Sequence, residues 1–463
     1  MTLYERTLSL LQEGDIEHAE VSLELAEALQ ITGAFDRSRD LLERCIAELE
    51  DGDVLVRADA MMTLSMVLAY TEGAEASRAP LQDAIELLET QPPGRHLARA
   101  YTEMASQFAV EGSAEGVDWA ERALALVDRF DLPAQRVSAL VARGLAQFYA
   151  GNPTSLEDFR SAIELGQREG LGRPVALAFN NLATLALPSE GPQAAIELCR
   201  EGIEICQRRG LDELRLGLRS TMLPALYDAG EWDAVVSQGE LDLGDAEARS
   251  DLWVLVEIGA FRARVLTARG LDHRIEHYLE GARSLGFTQT LVLNLTVAAV
   301  ARLSGGDELG ARELLREIMF GEDVAILNVA DHLAELARVA AGVGDTDSFE
   351  KFLTRAPRAF SRHRLGHTSA EAILAEVRGN LPVACATYQG VADEWERSGC
   401  VVEHAHALFG VYRCASALGL TDEAILARLA AESVVESLDA PFFTWIMGPR
   451  EEPGAQPPSV VDL

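Results

Sequence analysis

The stretch Arg173–Gly210, RPVALAFNNLATLALPSEGPQAAIELCREGIEICQRRG, decides how the rest of the chain is read. Its first half carries apolar residues at Ala178, Leu182, Leu185 and Ala186, and a second set at Ala176, Phe179, Ala183 and Ala186. Two apolar stripes on one helix mean burial on two sides, as when a helix is sandwiched between neighbours. The second half repeats the pattern with Ile196, Cys199, Ile203 and Cys206, beside Leu198, Gly202 and Ile205. Small residues at Ala183, Ala195 and Gly202 let two helices approach closely. Arg208 and Arg209 suit a last helical turn, and Gly210 followed by Leu211 is a Schellman-type stop. The spacing predicts two helices joined by a tight turn.

The same unit recurs along the chain. Glycines that mark the turn inside each predicted pair fall at Gly33, Gly73, Gly112, Gly151, Gly191, Gly230, Gly270, Gly306, Gly344, Gly379 and Gly419, at intervals of 35 to 40 residues. The residues around them keep one internal spacing. Ala183, Ala186, Ala195, Cys199 and Gly202 correspond to Ala263, Leu266, Ile275, Leu279 and Ala282 near Gly270. Ala337, Ala340, Phe349, Leu353 and Ala356 follow near Gly344, and Ala372, Ala375, Ala384, Tyr388 and Val391 near Gly379. Self-similarity at a fixed period is the mark of a repeat array.

This pattern resembles the tetratricopeptide repeat, over roughly residues 17–438. The resemblance implies an all-α, right-handed solenoid of about eleven helix–turn–helix repeats. The period, near 39 residues, is longer than the usual ~34. The motif's leading Trp is missing, and its Tyr position holds Ala186, Leu266 or Ala340. In this longer form the chain is similar to the repeat arrays in the C-terminal halves of bacterial LuxR-type and MalT-like ATP-dependent regulators and multidomain adenylate cyclases. It has neither of their other modules: no G-x-x-x-x-G-K-[ST] loop occurs, since Lys351 is the sole lysine, and no helix-turn-helix stands out. The resemblance therefore implies only the docking or sensing part.

A chain of 463 residues exceeds one ordinary core, but a repeat array grows its core linearly. Residues 1–16 read as a capping helix or partial repeat, 17–438 as the solenoid, 439–449 as an aromatic cap segment and 450–463 as a disordered tail. The net charge of −34 repels nucleic acid and anionic lipid, and suits a basic partner or simply solubility. Cys45, Cys199, Cys206, Cys385, Cys400 and Cys414 form no C-x-x-C pair, which fits a reduced, cytoplasmic compartment with cysteine used as a small hydrophobe. The N-terminus has no signal-peptide pattern. The charge-poor run Ser284–Ala301 contains Thr288, Gln289, Thr290, Asn294 and Thr296, and reads as a buried repeat helix rather than a membrane span.

No catalytic constellation, cofactor motif or complete metal-ligand set is recognisable. His273 and His277 stand at i, i+4 without a third ligand, and read as a solvated helix face. Lys351, Arg355, Arg358, Arg362 and Arg364 form a positive island that suits either an anionic ligand or acidic neighbouring helices. In tetratricopeptide arrays the first helices line the ligand-binding groove. Alignment on Ala183 places Asn180 and Thr184 there, next to Asn181, with Arg99 and Phe148 before and Tyr227, Arg264, Thr267, Asp331 and Arg338 after. Their side chains suit a protein or peptide partner. The expectation is a non-enzymatic scaffold or regulatory module of bacterial signalling or transcriptional regulation. The alternatives are a small-ligand or peptide sensor, or the regulatory half of a larger ATPase- or cyclase-type regulator. Partner identity and oligomeric state are not legible.

Overall fold

The computed structural model describes residues 2–441, apart from 13–14, 32–33, 50–51, 73, 111–112, 114, 153–154, 250, 322–323 and 325. The described residues are helical with no strand. A short α1 (Thr2–Leu8) precedes paired helices: α2 (Ile16–Ile31) and α3 (Phe35–Glu48), α4 (Val54–Thr71) and α5 (Ala74–Glu89), α6 (Arg95–Val110) and α7 (Glu115–Phe130), α8 (Pro133–Tyr149) and α9 (Leu156–Arg168), α10 (Gly172–Glu190) and α11 (Pro192–Arg209). The series continues with α12 (Asp212–Asp228) and α13 (Trp232–Arg249), α14 (Leu252–Ala268) and α15 (Ile275–Leu285), α16 (Thr288–Ser304) and α17 (Glu308–Phe320). A single-turn α18 (Ile326–Val329) leads into α19 (Leu333–Val343) and α20 (Thr346–Leu353). The last pairs are α21 (Ser361–Val377) and α22 (Leu381–Ser398), and α23 (Val401–Leu418) and α24 (Thr421–Leu438). Among the described residues this gives eleven pairs, in the register the glycine spacing predicts. The architecture is an all-α solenoid of tetratricopeptide-like repeats.

The turn glycines do the local work. Gly33, Gly73 and Gly112 lie outside the described residues. The other eight have φ from +68° to +97°, where a Cβ is strained. At Gly344 (φ +70°) the helix ends in the left-handed region, and Asp345 N–H returns to Ala340 C=O at 2.9 Å. That is the six-to-one bond of a Schellman stop. The same bond closes Asn152 on Gln147, Leu271 on Leu266, Asp307 on Arg302, Asn380 on Ala375 and Leu420 on Ala415. Between pairs, Gly210 stops α11 in the same way, with Leu211 N–H on Cys206 C=O at 3.0 Å.

Packing follows the predicted spacing. The twenty aligned residues of the four compared repeats are buried except Ala375. Gly202 shows why small residues are required. A Cβ there would lie 2.9 Å from Leu218 Cδ1 and 3.0 Å from Phe179 Cβ, so α10, α11 and α12 meet without room for a side chain. α16 is buried on all sides from Thr290 to Ala301, and its polar groups turn inward on the helix: Asn294 donates to Thr290 C=O and Thr296 to Val292 C=O. All six cysteines are free and buried. Desolvation pushes the Cys199 thiol up to about 12, so it stays protonated and packs as a hydrophobe. At the N-terminal end, Arg37 Nη2 donates to Glu5 at 2.8 Å and ties α3 to α1.

The chain divides into two compact units. The first comprises residues 1–226, 237–258 and 359–362; the second comprises 227–236, 259–358 and 363–463. The expected cap segment and tail lie outside the described residues beyond Pro441.

Candidate functional site

In the first unit the first helices of successive pairs are joined laterally by polar side chains. His96 Nδ1 on α6 lies 3.0 Å from Asp59 Oδ1 on α4, and Gln107 Nε2 donates to Ser65 Oγ at 2.8 Å between the same helices. Thr221 Oγ1 on α12 donates to Asn180 Oδ1 on α10 at 2.9 Å, and Ser220 Oγ donates to Glu257 Oε2 on α14 at 2.7 Å. Thr184 Oγ1 returns to Asn180 C=O, and Asn181 Nδ2 to Leu177 C=O, both at 3.0 Å. Asn180, Asn181 and Thr184 stay half-buried. Leu177 is 40% exposed and Met66 on α4 is 41% exposed. Leu177 stands i, i+4, i+7 with Asn181 and Thr184, and Met66 stands seven residues after Asp59, so each exposed apolar group shares a stripe with polar ones.

Arg99 belongs to this face but is engaged. Its Nε donates to Glu103 Oε1 at 2.7 Å and its Nη1 lies 3.7 Å from Asp59. Burial raises the Glu103 carboxyl above its ordinary range, against the pull of Arg99, and the charges of Asp59 and Glu27 add to the rise. Phe148 departs from the expected open position. It is buried in the core of the first unit and stacks on Phe360 with centroids 3.8 Å apart and planes at 9°.

The second unit brings together the other expected residues and seals them. Tyr227 is buried between Trp232, which stacks on it at 5.3 Å, and Arg264, whose Cζ is 5.0 Å from its ring centroid. Desolvation pushes the Tyr227 phenol well up. Arg264 on α14 is buried, pairs with Glu335 on α19, and has Nη2 3.3 Å from His332 Nδ1. Arg338 on α19 makes a two-point bond to Glu403 on α23, each arm 2.7 Å. These pairs join first helices, and they skip one repeat each, from α14 over α16 and from α19 over α21. Neighbouring helix axes stand ~8–10 Å apart, so two helices one place removed meet only through long side chains on a tightly curled inner face. Each guanidinium offsets the desolvation of its carboxylate. The open groove expected at Tyr227, Arg264 and Arg338 is therefore closed by the protein's own side chains. Asp331 Oδ1 lies 3.1 Å from His363 Nε2, and Thr267 Oγ1 returns to Ala263 C=O at 2.8 Å.

Beside this network is a cavity of about 20 Å³ lined by Arg338, Ser369, Ile373, Tyr388, Glu403, His406, Ala407 and Arg413. Arg413 makes a two-point bond to Glu376 at 2.7 and 2.8 Å, and Tyr388 Oη donates to the same carboxylate at 2.8 Å. The volume suits about one water molecule. Burial, with the Arg338 charge, holds His406 well below its ordinary value. Glu335, Glu376, Glu403 and Arg413 escape sequence reading, because nothing in the spacing says that alternate repeats touch. The weak signal is Glu335, which precedes Arg338 by three residues on one helical face.

The remaining candidates separate. His273 lies in the turn before α15 and accepts the Ile275 N–H at 3.3 Å, while His277 is on the helix, so they do not form a two-histidine face. Among the described residues no three His, Cys, Asp or Glu side chains gather as a metal requires. In the positive island Arg358 is paired with Glu371 at 2.7 Å, and Lys351, Arg355 and Arg364 are exposed. Arg362 falls in the first unit and the other four in the second. No helix among the described residues is long and apolar enough to cross a membrane.

Repeat register, turn geometry and packing define a tetratricopeptide-like helical-repeat protein. No family model matches the chain, and no curated protein matches it. Solved structures similar to it include a Pyrococcus horikoshii signal-transduction ATPase with a tetratricopeptide repeat sensor, at 14% identity and a TM-score of 0.43, covering 72% of this chain and 50% of that one. A Rap protein complexed with competence and sporulation factor is similar at 12% identity and a TM-score of 0.46, covering 83% and 99%. The Cut9–Hcn1 assembly of APC/C follows at 13% identity and a TM-score of 0.43, covering 96% and 92%.

Proposed function

We propose that the chain is a non-enzymatic binding module for a protein or peptide, and that its ligand lies on the first-helix face of the first unit. One observation carries this reading: Leu177 and Met66 are left exposed beside polar side chains that are already fixed, Asn181 and Thr184 by bonds within α10, and Asn180 and Asp59 by bonds to neighbouring helices. Such a face offers apolar contact area beside oriented donors and acceptors, at little ordering cost. Asn180, Asn181, Thr184 and Arg99 are its candidate contacts. A role in bacterial signalling or transcriptional regulation extends the same reading.

A second reading rests on the second unit. Ion pairs that skip a repeat must stretch or break when the solenoid changes pitch, which suits a sensor with two curvatures. Capture from the native cell with the intact chain, beside Leu177→Glu and Met66→Glu chains, tests the first reading. The expected outcome is a partner retained by the native chain and lost by both variants. A partner retained equally by all three places the binding surface elsewhere.

A further inference from the structure

The register of the first helices sets Leu177 on α10, Gly217 on α12 and Glu257 on α14 at one position, at intervals of 40 residues. All three belong to the first unit. Two lateral bonds bracket the middle position. Ser220, three residues after Gly217, reaches α14 through Glu257 at 2.7 Å, and Thr221, four residues after it, reaches α10 through Asn180 at 2.9 Å. Gly217 therefore shares the helical face that both bonds cross. A Cβ on Gly217 would meet nothing within 4 Å. By contrast Gly144, Gly259 and Gly410, inside other first helices, face the rings of Phe159, Tyr278 and Tyr388. Glycine weakens a helix interior, and here no packing neighbour requires it; it leaves the backbone open to a ligand.

Glu257 edges this opening. Its carboxylate accepts from Ser220 and Trp253, both neutral donors, and no cation among the described residues pairs with it. Burial raises the carboxyl above its ordinary range against the Ser220 bond, and the Asp251 charge adds to the rise. On the same face Glu103 already has its cation, Arg99. An apolar or acidic ligand would cover Glu257 without compensating it, so charge complementarity selects a cationic one. Helix axes ~8–10 Å apart put α10 and α14 at most about 20 Å apart, the span of about five to six extended residues. We propose, given that the first-helix face of the first unit is the binding face, that its ligand is a basic peptide: a lysine or arginine side chain crosses Gly217 to pair with Glu257, and an apolar side chain about five residues away packs on Leu177.

Selection of a random decapeptide phage library on the intact chain, followed by fluorescence anisotropy with the recovered peptides, tests this. The expected pool is enriched in lysine or arginine with an apolar residue about five positions away. Glu257→Gln keeps an acceptor for Ser220 and should weaken these peptides at least about tenfold, by a factor that shrinks at high salt. Gly217→Arg places the cation in the chain itself and should weaken them by as much while raising the thermal midpoint, since arginine favours a helix interior over glycine. A pool without basic enrichment, or recovered peptides bound equally by the native and Glu257→Gln chains, overturns the proposal. Leu177→Ala separates the two readings. Peptides weakened by Leu177→Ala but not by Glu257→Gln leave the binding face standing and remove only its cationic ligand, whereas peptides unaffected by both remove the face itself.

Discussion

The two compact units use the same repeat to opposite ends. In the first, the first-helix face is crossed by bonds between adjacent repeats, such as Thr221 to Asn180 and Arg99 to Asp59, and leaves Leu177 and Met66 in solvent. In the second, the equivalent face is occupied by Arg264–Glu335 and Arg338–Glu403, which bridge alternate repeats and are buried. The second unit also meets its own beginning: Leu438 at the end of α24 touches Gly230, in the turn between α12 and α13. Where the described first helices of this unit meet across a repeat, these long ionic side chains fill the space between them.

The largest expected break in this contrast comes from the sealed face. Arg338→Ala leaves Glu403 buried without its partner and should cost about 3–5 kcal/mol in urea unfolding. The double change Arg338→Met with Glu403→Leu should recover most of that loss, since an apolar pair of similar volume removes both desolvation costs. A double variant as damaged as the single one shows that the pair's place in the wider network, not the lone charge, sets the loss. Gly202→Leu should come next, at about 1–3 kcal/mol through overpacking against Leu218 and Phe179. A thermal or denaturant midpoint equal to the native chain's contradicts the helix crossing.

The pH dependence belongs to the second unit. His406 is held well below its ordinary 6.5 when folded, so the unfolded chain takes up the proton first as pH falls. Its share of stability is complete above 6.5 and declines on acidification towards the folded value. His406→Gln should flatten the slope of thermal midpoint against pH on the acid side of 6.5. The smallest effect should be on the open face: Thr221→Ala removes one half-exposed hydrogen bond and should cost about 0.5–1.5 kcal/mol.

The sequence carried the repeat because its determinants are local. A positive φ at Gly344 and a missing Cβ at Gly202 are requirements that a single residue type meets, so they recur at visible spacing. Register alone put Tyr227, Arg264 and Arg338 on the first helices expected to line a groove. It did not show that the face is closed, because closure sums small rotations over several repeats, and no residue encodes that sum. Phe148 failed for a similar reason: its partner Phe360 is more than two hundred positions away in the chain. The single-turn α18 and the eight-residue α20 also interrupt the regular pairing in ways that the spacing did not announce.

Hydrogen–deuterium exchange with and without a recovered peptide or protein ligand tests the central contrast most directly. The account predicts new protection on α4, α6 and α10 of the first unit and none on α16 and α19 of the second. Protection confined to α16 and α19, with the first unit unchanged, would contradict it.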